Sequence, residues 1–531
     1  MHRVLLIHEI QLLIFSQILD RQTLSALART CHALGETALD VLWCDLDCFP
    51  RLIQCLPKDL WKSERMSRIH SEYIKLTLCR PISSSDWMIF QKYSRRVRSV
   101  RGPNSYKSRK RHITIDDAVL LALCAPSAPI PLLPNLTSLN WHVISDAHLS
   151  ALHRFAPSSL ASLGLRFKGD YGLRSKSFDF NSPIQFPLNQ VFPSLKVLSA
   201  DMGYDSPPSL LQWLQPSIIR LQSLVTIHWK SFLNSLESET IMSLSQLPRL
   251  TEATFDIPSN FSRYINTLSS RSPARKLPFS KVRTLSIGYD DPAAVLSFLN
   301  HFIFELDTLH ISCKDSKPCP IRDLLASLSP SLHNIRSFEI AEVDHDDSMA
   351  HWAGCLPLTK HTLGPLLHLK ELQELSITIQ CSIVLNDADL LEMAGAWPNI
   401  TTLRLNGHPE PMSQVTPYVL VAFLDRCPKL ETLTIQVDFS AIDHADFDPS
   451  SFVDLVGSRH ARNRRDLRRL NFGLYNIVCP GAIAKFLACF LPDQARLWMH
   501  WGRESGDKWD ATMDILRTIR STYIEGPGFG E

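Results

Sequence analysis

The chain has no surplus of charge, no paired-cysteine motif, no phosphate-cradling glycine loop and no unbroken membrane-length apolar run, and each lack removes a class of function. Lys and Arg number 55 against 53 Asp and Glu, a formal charge of +2, so no global field selects nucleic acid or an anionic membrane as the main partner. The 13 cysteines are odd in number, scattered and never spaced Cys-x-x-Cys, which favours free thiols in a reducing compartment, cytoplasmic or nuclear, over a disulfide framework. The sequons at Asn135 and Asn399 then carry no weight. The opening MHRVLLIHEIQLLIF is interrupted by His8, Glu9 and Gln11 and no small-residue cleavage site follows it, so a secretory signal is not expected. Residues 118–145 hold no Asp, Glu, Lys or Arg, but Pro126, Pro129, Pro131 and Pro134 lie in their middle and would break a spanning helix. They read as a helix end, a loop and a strand. No Gly-x-Ser-x-Gly elbow or His-Glu-x-x-His pair occurs either.

What the chain does contain is one phrase said many times. In WPNITTLRL (397–405) and CPKLETLTI (427–435) an apolar residue is followed by two more at +3 and +5. The same spacing starts at Leu136, Leu160, Leu195, Leu224, Leu250, Val282, Leu306, Ile335, Leu372, Ile400, Leu430 and Leu467, twelve copies whose eleven steps cover 331 residues, about thirty per step. Tyr73-Leu76-Leu78 and the pair Val97 and Val100 are possible earlier copies. Each copy ends in period-two alternation, as in TLRLN, and predicts a short strand with its leucines on one side. Between copies, DDPAAVLSFLNHF, NDADLLEMAGAWP and TPYVLVAFLDRCP place apolar residues at helical spacing. Asp291 before Pro292 and Thr416 before Pro417 have the chemistry of a helix start, and Pro398 and Pro428 that of a stop. One helix–strand unit cannot bury enough apolar surface to offset the ordering of its own chain, so the units must stack into a continuous core. The phrase resembles the leucine-rich repeat, in the form found in proteins where such repeats follow an F-box. The usual ladder asparagine is missing, its place taken by His408, Asp438, Asp290 or Gln380, so the turns after the strands are expected to be irregular.

Residues 7–46, IHEIQLLIFSQILDRQTLSALARTCHALGETALDVLWCDL, predict three short helices, with Ile10, Leu13, Ile14 and Ile18 on one face and Asp20 as a helix cap. They resemble the F-box in the form common in basidiomycete fungi, a likeness carried by LLIFSxL-D, LxxLARTC and ALDVLW and reaching about residue 56; His8 stands where the family has proline. The resemblance implies that the trio docks on the adaptor Skp1, and so joins a cullin ubiquitin ligase, while the repeats hold a protein substrate. On that basis Ile10, Ile14, Phe15, Leu19, Leu24, Leu27, Leu42 and Trp43 supply the Skp1-facing or supporting apolar surface. The same trio could instead cap the first repeat and hide its open end.

The expected architecture is α/β: a helical F-box-like domain over 1–56, a linker and first irregular repeats over 57–130, a curved solenoid with its parallel sheet concave and its helices outside over 131–510, and a C-terminal cap and tail over 511–531. Residues between the strand anchors should point away from the core. They are Asn140, His142, Arg166, Asp201, His228, Lys230, Glu339, Arg404, Asn406, Gln436 and Asn471, a surface of both charge signs suited to a folded protein partner. Metal-capable VDHDD (343–347) and CDLDC (44–48) lack complete ligand sets. Cys124, Cys355 and Cys427 read as core fillers. Basic clusters at 94–112 and 458–470 suit a solvated loop and the outer face of a helix, with an acidic patch on a protein substrate as the second reading and nucleic acid or an import receptor as rarer contacts. A non-enzymatic adaptor without metal or cofactor, monomeric within a hetero-complex, is the expected function; a repeat scaffold that does not engage Skp1 and a nucleic-acid-associated protein are the rivals.

Overall fold

The structure is a computed structural model and describes residues 7–68, 71–102, 112–143, 146–167, 187–203, 208–231, 235–271, 277–279, 281–314, 321–327, 334–342, 356–408, 412–448, 466–473, 477–492, 495–497 and 506–525. The chain divides into two compact units, Met1–Asp256 and Ile257–Glu531. Each is mixed α/β with a parallel sheet, and no helix among the described residues is long and apolar enough to cross a membrane.

The first unit opens with α1 (His8–Ser16), α2 (Arg21–Thr30) and α3 (His32–Cys44). Asp20 caps α2 as its sequence position suggests, its carboxylate accepting from the Gln22 and Thr23 amides at 3.2 and 2.8 Å. Ten strands come after the helices: β1 (Asp45–Leu46), β2 (Trp61–Arg68), β3 (Ser71–Leu78), β4 (Ser99–Val100), β5 (His112–Ile115), β6 (Ser138–Val143), β7 (Ser162–Phe167), β8 (Val197–Met202), β9 (Thr226–Ser231) and β10 (Glu252–Ile257). The parallel sheet runs β1-β4-β6-β7-β8-β9-β10, and β2, β3 and β5 form a separate three-stranded sheet. The copy at Val97 and Val100 therefore belongs to the repeat. The one at Tyr73 does not, because its strand β3 lies in the separate sheet, between β2 antiparallel and β5 parallel. Residues 118–143 supply a helix end, a loop and β6.

In the second unit the strands are β11 (Leu277–Phe279), β12 (Thr284–Tyr289), β13 (Phe302–Phe304), β14 (Thr308–Cys313), β15 (Ser337–Glu342), β16 (Glu374–Ser382), β17 (Thr402–His408), β18 (Thr432–Thr434), β19 (Arg469–Asn471) and β20 (Arg496–Leu497). The sheet order is β12-β14-β15-β16-β17-β18-β19-β20, with β11 and β13 paired apart. All twelve predicted copies are strands of these parallel sheets, and none of their 36 anchors (three in each of twelve) is more than 5 % exposed. Equivalent anchors pair directly: Leu285, Leu309, Phe338, Leu375, Leu403, Leu433, Leu470 and Leu497 form one row. A one-residue slip would turn a whole strand's leucines to water, so the buried face fixes this register.

Two further devices hold the repeat. Three residues before the first anchor sits another buried residue, among them Leu133, Phe192, Leu221, Phe279, Trp397 and Cys427, each at most 1 % exposed. Its carbonyl accepts the first anchor's amide, as in Leu195 to Phe192 at 3.2 Å and Ile400 to Trp397 at 3.1 Å. At the entrances of β6–β10 and β14–β19 one carbonyl receives two successive amides of the next strand: Lys196 and Val197 both donate to Ala161, and Thr401 and Thr402 to Gln373, at 2.7–3.1 Å. Helix starts use local chemistry. Asp291 accepts from Ala293 N at 3.1 Å and Pro292 opens the helix Pro292–His301. Thr416 departs from expectation. It makes no cap bond to its own helix, Pro417–Arg426; its hydroxyl and amide both donate to Asp387, each at 2.7 Å, on the helix Asp387–Ala396 of the preceding repeat.

Glycine is required at one strand position. A Cβ on Gly407 in β17 would lie 2.5 Å from the Cys381 carbonyl oxygen, whereas one on Gly395, inside the helix Asp387–Ala396, would meet nothing within 4 Å. Gly407→Ala is therefore expected to cost about 1–3 kcal/mol through backbone displacement. Gly395→Ala should instead gain about 0.5–1 kcal/mol. Paired thermal denaturation checks the opposite signs.

Candidate functional site: the helical trio and the sheet face

The trio builds a small core of its own from Phe15, Leu24 and Ala38, with Ile18, Leu27, Ala28, Leu34, Val41 and Leu42 packed against it. A buried polar chain ties α1 to α3. Thr37 Oγ1 donates to Gln11 Oε1 at 2.5 Å, Gln11 Nε2 donates to the Ala33 carbonyl at 3.0 Å, and His8 Nδ1 lies 3.0 Å from Thr37 Oγ1. Since the Thr37 hydroxyl uses its proton on Gln11, His8 Nδ1–H is the donor in that contact. His8, exposed at the start of α1, thus adds a bond from α1 to Thr37 of α3, although α1 begins without a side-chain cap.

What remains outside is apolar. Ile7 is 46 % exposed, Leu13 69 %, Ile14 44 % and Leu19 95 %, all on α1 or the turns that flank it. Of the residues expected to form the docking surface, Ile14 and Leu19 face solvent, Ile10, Leu27 and Leu42 are half-buried, and Phe15 and Leu24 lie inside as support. Trp43 packs its ring 4.9 Å from that of Tyr93 in the helix Ser84–Ser94. Leu13 belongs with the exposed set; its place at i+3 from Ile10 signals an apolar stripe without telling which edge of it the trio's own core covers.

The other side of the trio is fastened to the turn that ends the helix Ser84–Ser94. Arg96, with a side chain 4 % exposed, ion-pairs with Glu36 and Asp40 of α3 and donates to the Glu36 and Lys92 carbonyls at 3.2 and 3.1 Å. The Arg96 guanidinium holds the Glu36 carboxyl below its usual range. The chain leaves α3 straight into β1, which pairs with β4. The trio therefore closes the start of this unit's sheet with one face and presents Leu13, Ile14 and Leu19 on another.

The sheet's solvent face gathers the remaining expected residues in rows. In the first unit His142, Arg166, Asp201 and Lys230 are successive register partners, and Asn140 and His228 lie in the row beside them. Asn140 leans over Gly164, where a Cβ would sit 2.0 Å from its Oδ1. In the second unit Glu339 and Arg404 occupy one row with Asn406 beside it, all at least partly exposed, while Gln436 lies past the end of β18. Asn471 shares the row of Arg404 and Thr434 but is covered, 6 % exposed, and its Oδ1 accepts the amide of Gly473 at 2.8 Å, holding a turn in which Gly473 has φ 73°. Its carboxamide oxygen is thus taken up by its own turn.

His310 is a residue that the repeat spacing alone does not single out. Its Nδ1 lies 2.8 Å from Ser286 Oγ and its Nε2 3.7 Å from Glu339, while His228, at the same position of another copy, lies 3.1 Å from Thr254 Oγ1 and 3.7 Å from Glu252. These hydroxyl–imidazole–carboxylate lines cross an open sheet face. The cavities of about 730 Å³ beside Lys360, Glu392 and Arg426 and of about 450 Å³ beside Gln91 and Pro131 include neither line. Burial pushes the Cys427 thiol up to about 11 and that of Cys55 to about 12, and raises Cys124, Cys44 and Cys48, which keeps these thiols protonated and unreactive. Among the described residues no group of three or more His, Cys, Asp or Glu is placed to hold a metal. VDHDD, Cys355, residues 103–111 of the first basic cluster and residues 458–465 of the second lie outside the described residues. No known family model matches the chain, and no curated protein matches it.

Proposed function

We propose that the chain is a non-enzymatic adaptor in which the helical trio binds Skp1 and the repeat sheet holds a protein for ubiquitin transfer by other subunits. The observation that carries this reading is the exposed apolar edge formed by Leu13, Ile14 and Leu19 on a trio whose own core is already filled by Phe15, Leu24 and Ala38. A trio serving only as a cap would need no second apolar face; contiguous exposed apolar surface favours a partner. The sheet face suits protein recognition because its outward rows mix both charge signs with hydroxyls and amides. No residue in this scheme performs bond chemistry.

Affinity capture with Skp1 tests it. The double substitution Leu13→Asp with Leu19→Asp changes only exposed positions, so the fold should persist while capture falls by about tenfold or more, equivalent to about 1.4 kcal/mol. Capture that is absent for the native chain, or equal for both forms, would leave the trio as a cap and the chain as a scaffold.

A further inference from the structure

The solvent face of β17–β20, within the second unit, carries arginine without acid. Thr402, Thr432, Arg469 and Arg496 are successive register partners in one outward row, and Arg404 occupies the neighbouring row. Arg404, Arg469 and Arg496 are all exposed. None of the three guanidinium groups has a hydrogen-bond or ion-pair partner among the described residues. The outward acids of this sheet lie earlier, and each already faces a neighbour: Glu374 accepts from Ser337 Oγ at 2.9 Å, and Glu339 lies 3.7 Å from His310. Glu431, one position before the row on β18, pairs with none of the arginines.

Arg469 and Arg496 stand side by side on adjacent parallel strands, at a strand spacing of about 4.8 Å. Like charges in direct register are unfavourable. One charge on the last strand would be accounted for as protection of a sheet edge. Arg469 and Arg404 lie on inner strands, however, where no edge needs guarding.

We propose that this end of the sheet binds a carboxylate-rich segment of a protein partner. The proposal rests on reading the sheet face as the surface that holds a protein, and it names the chemistry of what is held. Planar guanidinium forks pair with carboxylates through two parallel hydrogen bonds, and the threonine hydroxyls in the same row extend that set of donors. The outward positions of these strands are threonine, arginine and asparagine, and among the described residues the single ring is the half-buried His408 at the far end of β17, away from Arg469 and Arg496, which lie in the row of Thr402. Arginines without a row of stacking rings favour an acidic peptide over a single-stranded polynucleotide.

The test uses the full chain and fluorescence anisotropy with labelled oligoglutamate, oligoglutamine and oligothymidylate. Oligoglutamate should bind, should weaken as salt is raised, and should lose about tenfold in affinity in the Arg469→Gln, Arg496→Gln double variant, while oligoglutamine does not bind. Neutralising Arg109, Lys110 and Arg111 in the separate basic cluster should leave that affinity within about twofold. The double variant should melt at the native temperature or above, because a like-charge pair has been removed. The proposal is overturned by an absence of oligoglutamate binding, by binding that survives the double variant or disappears with the basic-cluster variant, by tighter binding of oligothymidylate, or by a lowered melting temperature. Skp1 capture run in parallel keeps the two readings apart. Oligoglutamate failing while capture holds removes this inference alone, and capture failing while oligoglutamate binds removes the adaptor reading alone.

Discussion

Replacing Trp397 with alanine is expected to cost about 3–5 kcal/mol of stability, the range for deleting a large buried aromatic side chain. Trp397 is 1 % exposed and sits where the helix Asp387–Ala396 turns into β17. Its carbonyl accepts the first anchor's amide at 3.1 Å, and its indole Nε1 donates to the Leu366 carbonyl at 3.1 Å, in the repeat before. Alanine would leave a cavity between two repeats and a buried carbonyl without that donor. Trp397→Phe separates the two losses: it keeps most of the ring and removes only the hydrogen bond, so about 1–3 kcal/mol is expected. Because each repeat in a stack depends mainly on its neighbours, the change should first unfold the repeats around β16–β18. Urea unfolding with hydrogen exchange reads both quantities. A loss below about 1 kcal/mol for Trp397→Ala would mean that neighbouring repeats do not share a core at this position, contrary to a stack with one continuous interior.

The repeat was legible because three anchors at fixed offsets report a buried strand face directly, whatever the intervening residues are. The limits of that legibility are physical. β1 and β20 have two residues each, too short to display three anchors. Tyr73-Leu76-Leu78 fits the spacing, but which sheet a strand joins depends on its partners, and β3 pairs with β2 and β5 instead of the repeat strands. The doubled amides at the strand entrances of β6–β10 and β14–β19 are backbone bonds and leave no side-chain signature. Asn471 keeps the outward row that the count gives it, yet it is covered and its carboxamide is used by Gly473, which spacing does not report. In the trio, the apolar stripe of α1 was clear; which edge of it stays in water depends on how α2 and α3 close over Phe15.

The trio's arrangement also bears on how the two expected roles coexist. Arg96 grips α3 through Glu36 and Asp40, on the opposite helix from Leu13 and Ile14. Fixing α3 to the sheet start leaves α1 as the element with spare apolar surface. A helical trio that both closes a repeat stack and offers a docking edge needs this division of faces, and substitutions at Arg96 should weaken the closure without removing the edge.

Acid should destabilise the first unit well before its carboxylates titrate, through His148. This side chain is 6 % exposed, and burial holds its pKa at about 4, with Asp117, 3.6 Å from Nδ1, pulling weakly the other way. The ring lies 6.0 Å from that of Trp141, whose Nε1 donates to the His148 carbonyl at 2.8 Å. A folded-state pKa below the unfolded value of about 6.5 means that the unfolded chain binds the proton more readily. The stability contribution is therefore complete above pH 6.5 and is lost as pH falls toward 4. Linkage puts the loss between pH 7.5 and 5 at about 2 kcal/mol, approaching about 3 kcal/mol at lower pH. His301, lowered by burial in the second unit, adds in the same direction. Asp86 acts later: Arg80 and Ser83 hold its carboxyl below the usual range, so its contribution is lost only under about pH 4. His148→Leu should cut the drop measured between pH 7.5 and 5 by about 2 kcal/mol, whatever its effect at neutral pH. Urea titrations of both forms at the two pH values give the comparison, and an unchanged drop in the variant would show that His148 takes up its proton as easily folded as unfolded.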